Sequence, residues 1–303
     1  MDRILVGVDG SPASTAAAVW AAGEAAMRNI ELTILHVPAA LPEAATQMEC
    51  SANPLPDDVT NVVVAQGAEA IDDALDAITQ RIDRQPPRIT CKLCTGPVVP
   101  TLWEFTREGA RMIVLGRPCR GKTRRPALGS VTDEMLRLAR CPVTVVPHEP
   151  LTQTQAGGAP VVVGVNTSAA SELAVAVAFD EAAQRNTQLV AVHAVAPAHR
   201  SVTRGGNAVN LEAEYLWARA LADWQLRNPS VNVRRVVTPD DPVQALLKHS
   251  QHAQLLVVGG GRRSSVVAKP FGWVVSAVAQ ACRIPVIVAR RKPSVCQTET
   301  IRR

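Results

Sequence analysis

The chain is written twice. Residues from Ile4, ILVGVDGSPASTAAAVWAAGEAAMRNIELTILHV, align with residues from Val161, VVVGVNTSAASELAVAVAFDEAAQRNTQLVAVHA, at an offset of 157. Gly7 then falls on Gly164, Asp9 on Asn166, Ser11 on Ser168, Ser14 on Ser171, Arg28-Asn29 on Arg185-Asn186 and His36 on His193. Farther along, Gly116 falls on Gly259, Gly129 on Gly272 and RCPVTVV on RIPVIVA at an offset of 143, so the second copy is fourteen residues shorter in its middle. A repeat of this length is a whole domain. With 47% hydrophobic and 19% charged residues in a chain of 303, each copy can bury its own core. The polar, Gly-rich stretch LTQTQAGGAP at 151–160 reads as a linker, which gives domains over 1–150 and 158–293.

Within repeat one, short apolar runs at about 3–8, 31–37, 88–94, 111–116 and 142–147 alternate with helical stretches near 13–28, 66–84, 98–109 and 130–140. Val- and Ile-rich runs separated by amphipathic helices predict crossover units and a parallel sheet covered on both faces. The fold class is therefore α/β, with each repeat a five-stranded doubly wound domain. Ser11 and Ser14 start the first helix with Pro12 in its first turn, and the Pro-rich region 38–60 is the least regular part.

Several function classes are excluded by composition. Aromatics at 3% leave few platforms for stacking bases, which argues against nucleic acid despite the net charge of +5. No apolar run approaches a membrane span, and the run before Asp9 is too short for a secretory signal, so the expected location is the cytoplasm. Seven scattered cysteines do not make a disulfide framework. Cys91 and Cys94 lie three apart on a strand and point to opposite faces, so they are not read as metal ligands. His36 and His193 recur without a recurring nucleophile and read as backbone-positioning residues.

The stretch VLGRPCRGKTRRPALGS, residues 114–130, allows two phosphate-binding readings. Gly116 to Thr123 satisfies the Walker A pattern G-x4-G-K-[ST]. A Walker A loop runs straight into a helix, however, and here Pro126 and Gly129 interrupt it; the corresponding stretch of repeat two, GGGRRSSVVAKPFGW, has no G-K-[ST]. The other reading uses Gly116 at a strand end and Gly129-Ser130 at a helix start, with Ser130 as N-cap and Asp133 at the capping-box position. Arg117, Arg120, Lys122, Arg124 and Arg125 crowd the loop between and would attract phosphate. Asp9, ending the first strand, suits ribose hydroxyls.

These features together resemble the universal stress protein family in its tandem form. ILVGVDGSPAS, IVLG and GSVTDEMLRLARCPVTVV carry the resemblance, which covers nearly the whole chain. The family's ATP-binding signature is G-x2-G-x9-G-[ST], with its first and third glycines thirteen apart, as Gly116 and Gly129 are. The resemblance implies two flavodoxin-like (Rossmann-like) domains with strand order 3-2-1-4-5. It implies that ATP, with or without magnesium, is held by Asp9 at ribose or adenine, by the Val37 backbone at the adenine edge, and by Gly116, Gly129, Ser130, Val131 and Thr132 at phosphates and ribose. It further implies a homodimer or an intramolecular pairing of the two domains. One position departs from the signature: Cys119 stands where the second glycine belongs. Repeat two departs further, with Asn166 for the aspartate, Arg262 for the second glycine and Trp273 for the serine. A degenerate second site follows. No general base or metal-holding carboxylate accompanies the motif, so the expected role is a nucleotide-binding regulatory module in stress response, not an enzyme. The alternatives are a nucleotide-free scaffold and a P-loop-type ATPase.

Overall fold

The structure, a computed structural model, describes residues 2–38, 57–82, 87–118, 128–148, 158–166, 168–194, 221–260 and 272–290. The linker residues 151–157, the cationic loop 119–127 with Cys119, Arg262 and the C-terminal arginines after Arg290 lie outside them.

Repeat one runs β1 (Arg3–Val8), α1 (Pro12–Arg28), β2 (Glu31–His36), α2 (Asp57–Arg81), β3 (Ile89–Leu93), α3 (Val98–Arg107), β4 (Met112–Arg117), α4 (Ser130–Leu138) and β5 (Val143–Pro147). Repeat two runs β6 (Val161–Gly164), α5 (Ala169–Gln184), β7 (Leu189–Ala194), β8 (Val233–Thr238), α6 (Pro242–Ser250), β9 (Leu255–Gly259), α7 (Trp273–Ala281) and β10 (Val286–Ala289). The sequence places the second helix of repeat one near 66, whereas α2 begins at Asp57. The β-branched run Val62-Val63-Val64 masks the helix, because such residues favour strands in isolation, and Val62 and Val64 stand exposed on α2.

The ten strands of the described residues form one sheet in the order β3-β2-β1-β4-β5-β10-β9-β6-β7-β8. Each half is parallel throughout, and the halves meet where β10 pairs antiparallel with β5, Ile287 opposite Thr144. The domain pairing in this structure is thus the intramolecular one. Central strands are apolar on both sides, as a covered parallel sheet requires. Ile4, Val6 and Val8 of β1 join one core layer with the alanines of α1, while Leu5 joins the other with Leu102 and Met135. The alanines Ala17, Ala18, Ala21, Ala22 and Ala25 are buried and let α1 lie close on the strands. Among the described residues no helix is long and apolar enough to cross a membrane.

On the α1 side of the seam the repeats share a buried ionic square. Arg28 binds Glu24 of its own helix at 2.6 Å and Glu181 of α5 at 2.7 Å; Arg185 binds Glu24 at 2.5 Å and also Glu181. Asp180 extends it, accepting from Arg28 at 2.8 Å and Arg111 at 2.6 Å. Burial, together with the neighbouring Glu24 carboxylate, pushes Glu181 up to about 8. Glu24 is held low, since Arg185 and Arg28 outweigh its own burial. The repeated Arg-Asn pair is accounted for: each arginine serves the square, and Asn29 (φ 51°) and Asn186 (φ 48°) supply left-handed helix ends.

Candidate functional site

The ends of β1, β2 and β4, with the first turns of α1 and α4, enclose a cleft of about 770 Å³ in repeat one. In the strand order, the chain leaves β1 toward β2 on one side and β4 lies on the other. The cleft therefore sits at the topological switch point beyond the carboxyl ends of the strands, where doubly wound sheets take ligands. Its volume falls within the range of small-molecule sites.

Of the residues singled out from sequence, Asp9, Val37, Gly116, Gly129, Ser130, Val131 and Thr132 all line this cleft. Cys119 lies outside the described residues, as do Arg120, Lys122, Arg124 and Arg125. Asp9 sits at the end of β1, where its carboxylate accepts from the Ser11 amide at 3.0 Å and its own amide donates to the Ser14 hydroxyl at 3.2 Å. Burial raises its pKa, but the hydroxyls of Ser11 and Ser14 and the backbone amides of Ser11 and Asp9 outweigh burial and hold the carboxyl below its ordinary range. The group is a fixed negative charge, well suited to accept from hydroxyls and poorly suited to take a proton.

Gly116 explains itself by packing. A Cβ there would lie 2.4 Å from the Ala13 carbonyl oxygen, so the glycine lets α1 cross β4 closely; Gly259 repeats the arrangement against Ala170, also at 2.4 Å. Gly129 is different: its φ is −59°, and among the described residues the nearest atoms to an added Cβ belong to Pro118, at 3.8 Å. It is not forced by the protein's own backbone. Gly129 is also the N-cap of α4, so Ser130 is the first helical residue rather than the cap, and Asp133 bonds Arg137 at 2.5 Å instead of closing a capping box. The correction has a consequence for chemistry. Side chains cap α1, α5 and α6 (Ser11, Ser168 and Asp241), but among the described residues no side chain caps α4. Ser130, Val131 and Thr132 of its first turn line the cleft, and the first amides of a helix have no intrahelical partner, an arrangement that favours an anion. Thr132 is buried and its hydroxyl donates to the Gly116 carbonyl at 3.3 Å, tying the two halves of the motif together.

Arg117 is a second correction. It belongs by sequence to the cationic loop, yet its guanidinium turns away from the cleft and donates to backbone carbonyls of repeat two, Gln280 and Cys282. Alternation along the strand sends it to the face opposite its neighbours Gly116 and Pro118, which do line the cleft. Sequence reasoning also missed one wall: Gln66, Glu69, Ala70 and Asp73 of α2 face the cleft at helical spacing. His36 donates from Nδ1 to the Val8 carbonyl at 3.0 Å, and His193 does the same to Val165 at 2.8 Å. A carbonyl can only accept, which fixes the proton on Nδ1 and makes each histidine a strand-end clasp.

The corresponding start of α7 in repeat two is built otherwise. Gly272, where Gly129 stands in repeat one, has φ 57°, and Trp273 opens the helix partly exposed. Asn166 keeps the turn of Asp9, accepting from the Ser168 amide at 2.9 Å, without its charge.

A family model described as the universal stress protein family matches residues 1–147 and 159–290. The chain belongs to that family. Membership supports a role in stress response. Universal stress protein Rv2623 of Mycobacterium tuberculosis is 42% identical over 292 residues, covering 95% of this chain and 96% of that one. Universal stress protein Rv2005c of the same organism is 41% identical over 299 residues, covering 95% and 97%. A universal stress protein from Archaeoglobus fulgidus superposes with a TM-score of 0.70 at 16% identity, over 95% of this chain and 98% of that one, which speaks to the tandem fold alone.

Proposed function

We propose that this universal stress protein binds ATP in the cleft of repeat one, acting as a nucleotide-sensing module and not as an enzyme. One observation carries the reading: seven residues of the motif, spread from Asp9 to Thr132, converge on one cleft at the switch point. The fit is chemical as well as spatial. The uncapped start of α4 offers amides to phosphate, the Asp9 carboxylate accepts from ribose, and the Val37 backbone lies at the end of β2 for the adenine edge. Magnesium, where present, would ride on the phosphates, since among the described residues no cluster of acids, histidines or cysteines could hold a metal ion.

Binding without turnover follows from the same residues. Asp9 is held low, which makes its carboxylate a poor base for a phosphate-directed water. The P-loop alternative is disfavoured because α4 starts only at Ser130, well past the Gly-Lys-Thr of residues 121–123. The scattered, odd-numbered cysteines support a cytoplasmic location.

Calorimetry with ATP tests the reading. Asp9→Ala and Ser130→Ala should weaken binding, by about 1.5–3 kcal/mol for the charge-assisted bond, while Asn166→Ala and Trp273→Ala leave it unchanged. Absence of binding at millimolar ATP would falsify it in favour of a nucleotide-free scaffold. Loss of all binding in a folded Lys122→Ala variant would restore the P-loop reading.

A further inference from the structure

Both elements that make the phosphate end of the cleft are gripped by guanidinium groups that span the seam. Arg117 directly follows Gly116 and donates to the carbonyls of Gln280 and, at 2.7 Å, Cys282, at the C-terminal end of α7. In the opposite direction Arg290, just past β10, donates to the carbonyls of Leu136 and, at 2.7 Å, Arg137. Those two carbonyls lie in the last turn of α4, where a helix has no internal donors for its oxygens and where a cation also meets the negative end of the dipole. A helix of nine residues does not hold itself. What fixes its last turn therefore also fixes its first, and the first turn faces the cleft.

Internal symmetry does not account for these contacts. The position matching Arg117 is Gly260 and the one matching Arg290 is Pro147, so each clamp is particular to its own repeat. We propose that Arg290 and Arg117 are positioning residues for ligand binding: repeat two, whose own helix start is altered, holds α4 and the end of β4 of repeat one in the geometry that receives phosphate. The proposal rests on the nucleotide reading of the cleft.

The test uses the full chain carrying Arg290→Ala, with Arg290→Lys and Arg117→Ala beside it. Hydrogen exchange of the ligand-free proteins reads the clamp directly, and the amides of α4, that of Asp133 among them, should exchange several-fold faster in Arg290→Ala. Calorimetry then compares ATP with adenosine. Loss of a charge-assisted pair of bonds should weaken ATP about tenfold. Adenosine should be weakened less than about twofold, because Asp9 and Val37 stand at the ends of β1 and β2, away from the last turn of α4 that Arg290 holds. Arg290→Lys, which keeps the charge but not the fork, should recover part of the loss, and Arg117→Ala should repeat the preference for ATP over adenosine loss. Unchanged exchange in α4, or equal losses for ATP and adenosine, overturns the proposal. If the unaltered protein binds neither ligand, the nucleotide reading fails and the ligand role of the clamp with it, while the exchange result still shows whether repeat two orders α4.

Discussion

Asp9 and Asn166 form one turn with two different charges. Each accepts from the amide two residues on, at 3.0 and 2.9 Å, and each donates its own amide to a serine hydroxyl. Asp9→Asn should therefore leave the fold intact, because repeat two already carries that residue in that turn, and should cost ATP affinity about 1.5–3 kcal/mol. Calorimetry beside a thermal melt separates the two effects; an unfolded Asp9→Asn protein would show that the charge serves structure. The glycines divide in the same manner. Gly116→Ala and Gly259→Ala must push a methyl against helix backbone at 2.4 Å, and denaturant unfolding should show each destabilised by about 1–3 kcal/mol or more. Gly129→Ala meets no atom nearer than 3.8 Å among the described residues and needs no left-handed backbone, so its stability should stay close to that of the unaltered protein while any effect falls on ligand binding. Equal destabilisation at Gly129 and Gly116 would contradict this division.

Among the elements, α1 and α5 are joined by a buried square whose two carboxylates titrate in opposite directions. Glu181 holds its proton more tightly folded than unfolded, so its contribution is complete below the ordinary carboxylate range and is lost as pH rises from about 4.5 to about 8. Glu24, held low, contributes above the ordinary range and loses that contribution only as pH falls below it. Stability should therefore fall as pH rises toward 8, by at most about 1.4 kcal/mol per unit for one proton. Glu181→Gln should flatten that slope, and melts across the range decide it; an unchanged slope would place the titration elsewhere. The strands of repeat one and α1 were legible in the sequence because their apolar periods and caps are local. The start of α2 was not, since β-branched valines at 62–64 read as strand formers and hide the helical period. Nor was the square: Arg28 and Arg185 showed themselves only as a repeated pair, and nothing in one dimension reveals that they meet.

At the scale of the molecule, the candidate cleft was legible to the extent that its residues carry a spacing. Gly116, Gly129 and Asp9 could be found that way, whereas the α2 wall and the outward turn of Arg117 depend on how strands and helices face one another. The halves share one sheet, one ionic square and two guanidinium clamps, so they should unfold together. Calorimetry should show a single cooperative transition whose midpoint does not move with protein concentration. Two separated transitions would mean that the seam is weaker than the repeats it joins. The β5–β10 pairing is made within one polypeptide, so each half meets the other at an effective concentration in the millimolar range set by the linker. Its arginine clamps therefore survive dilution: a cell holding a handful of copies has the same cleft, in the same state of completion, as a cell that holds thousands.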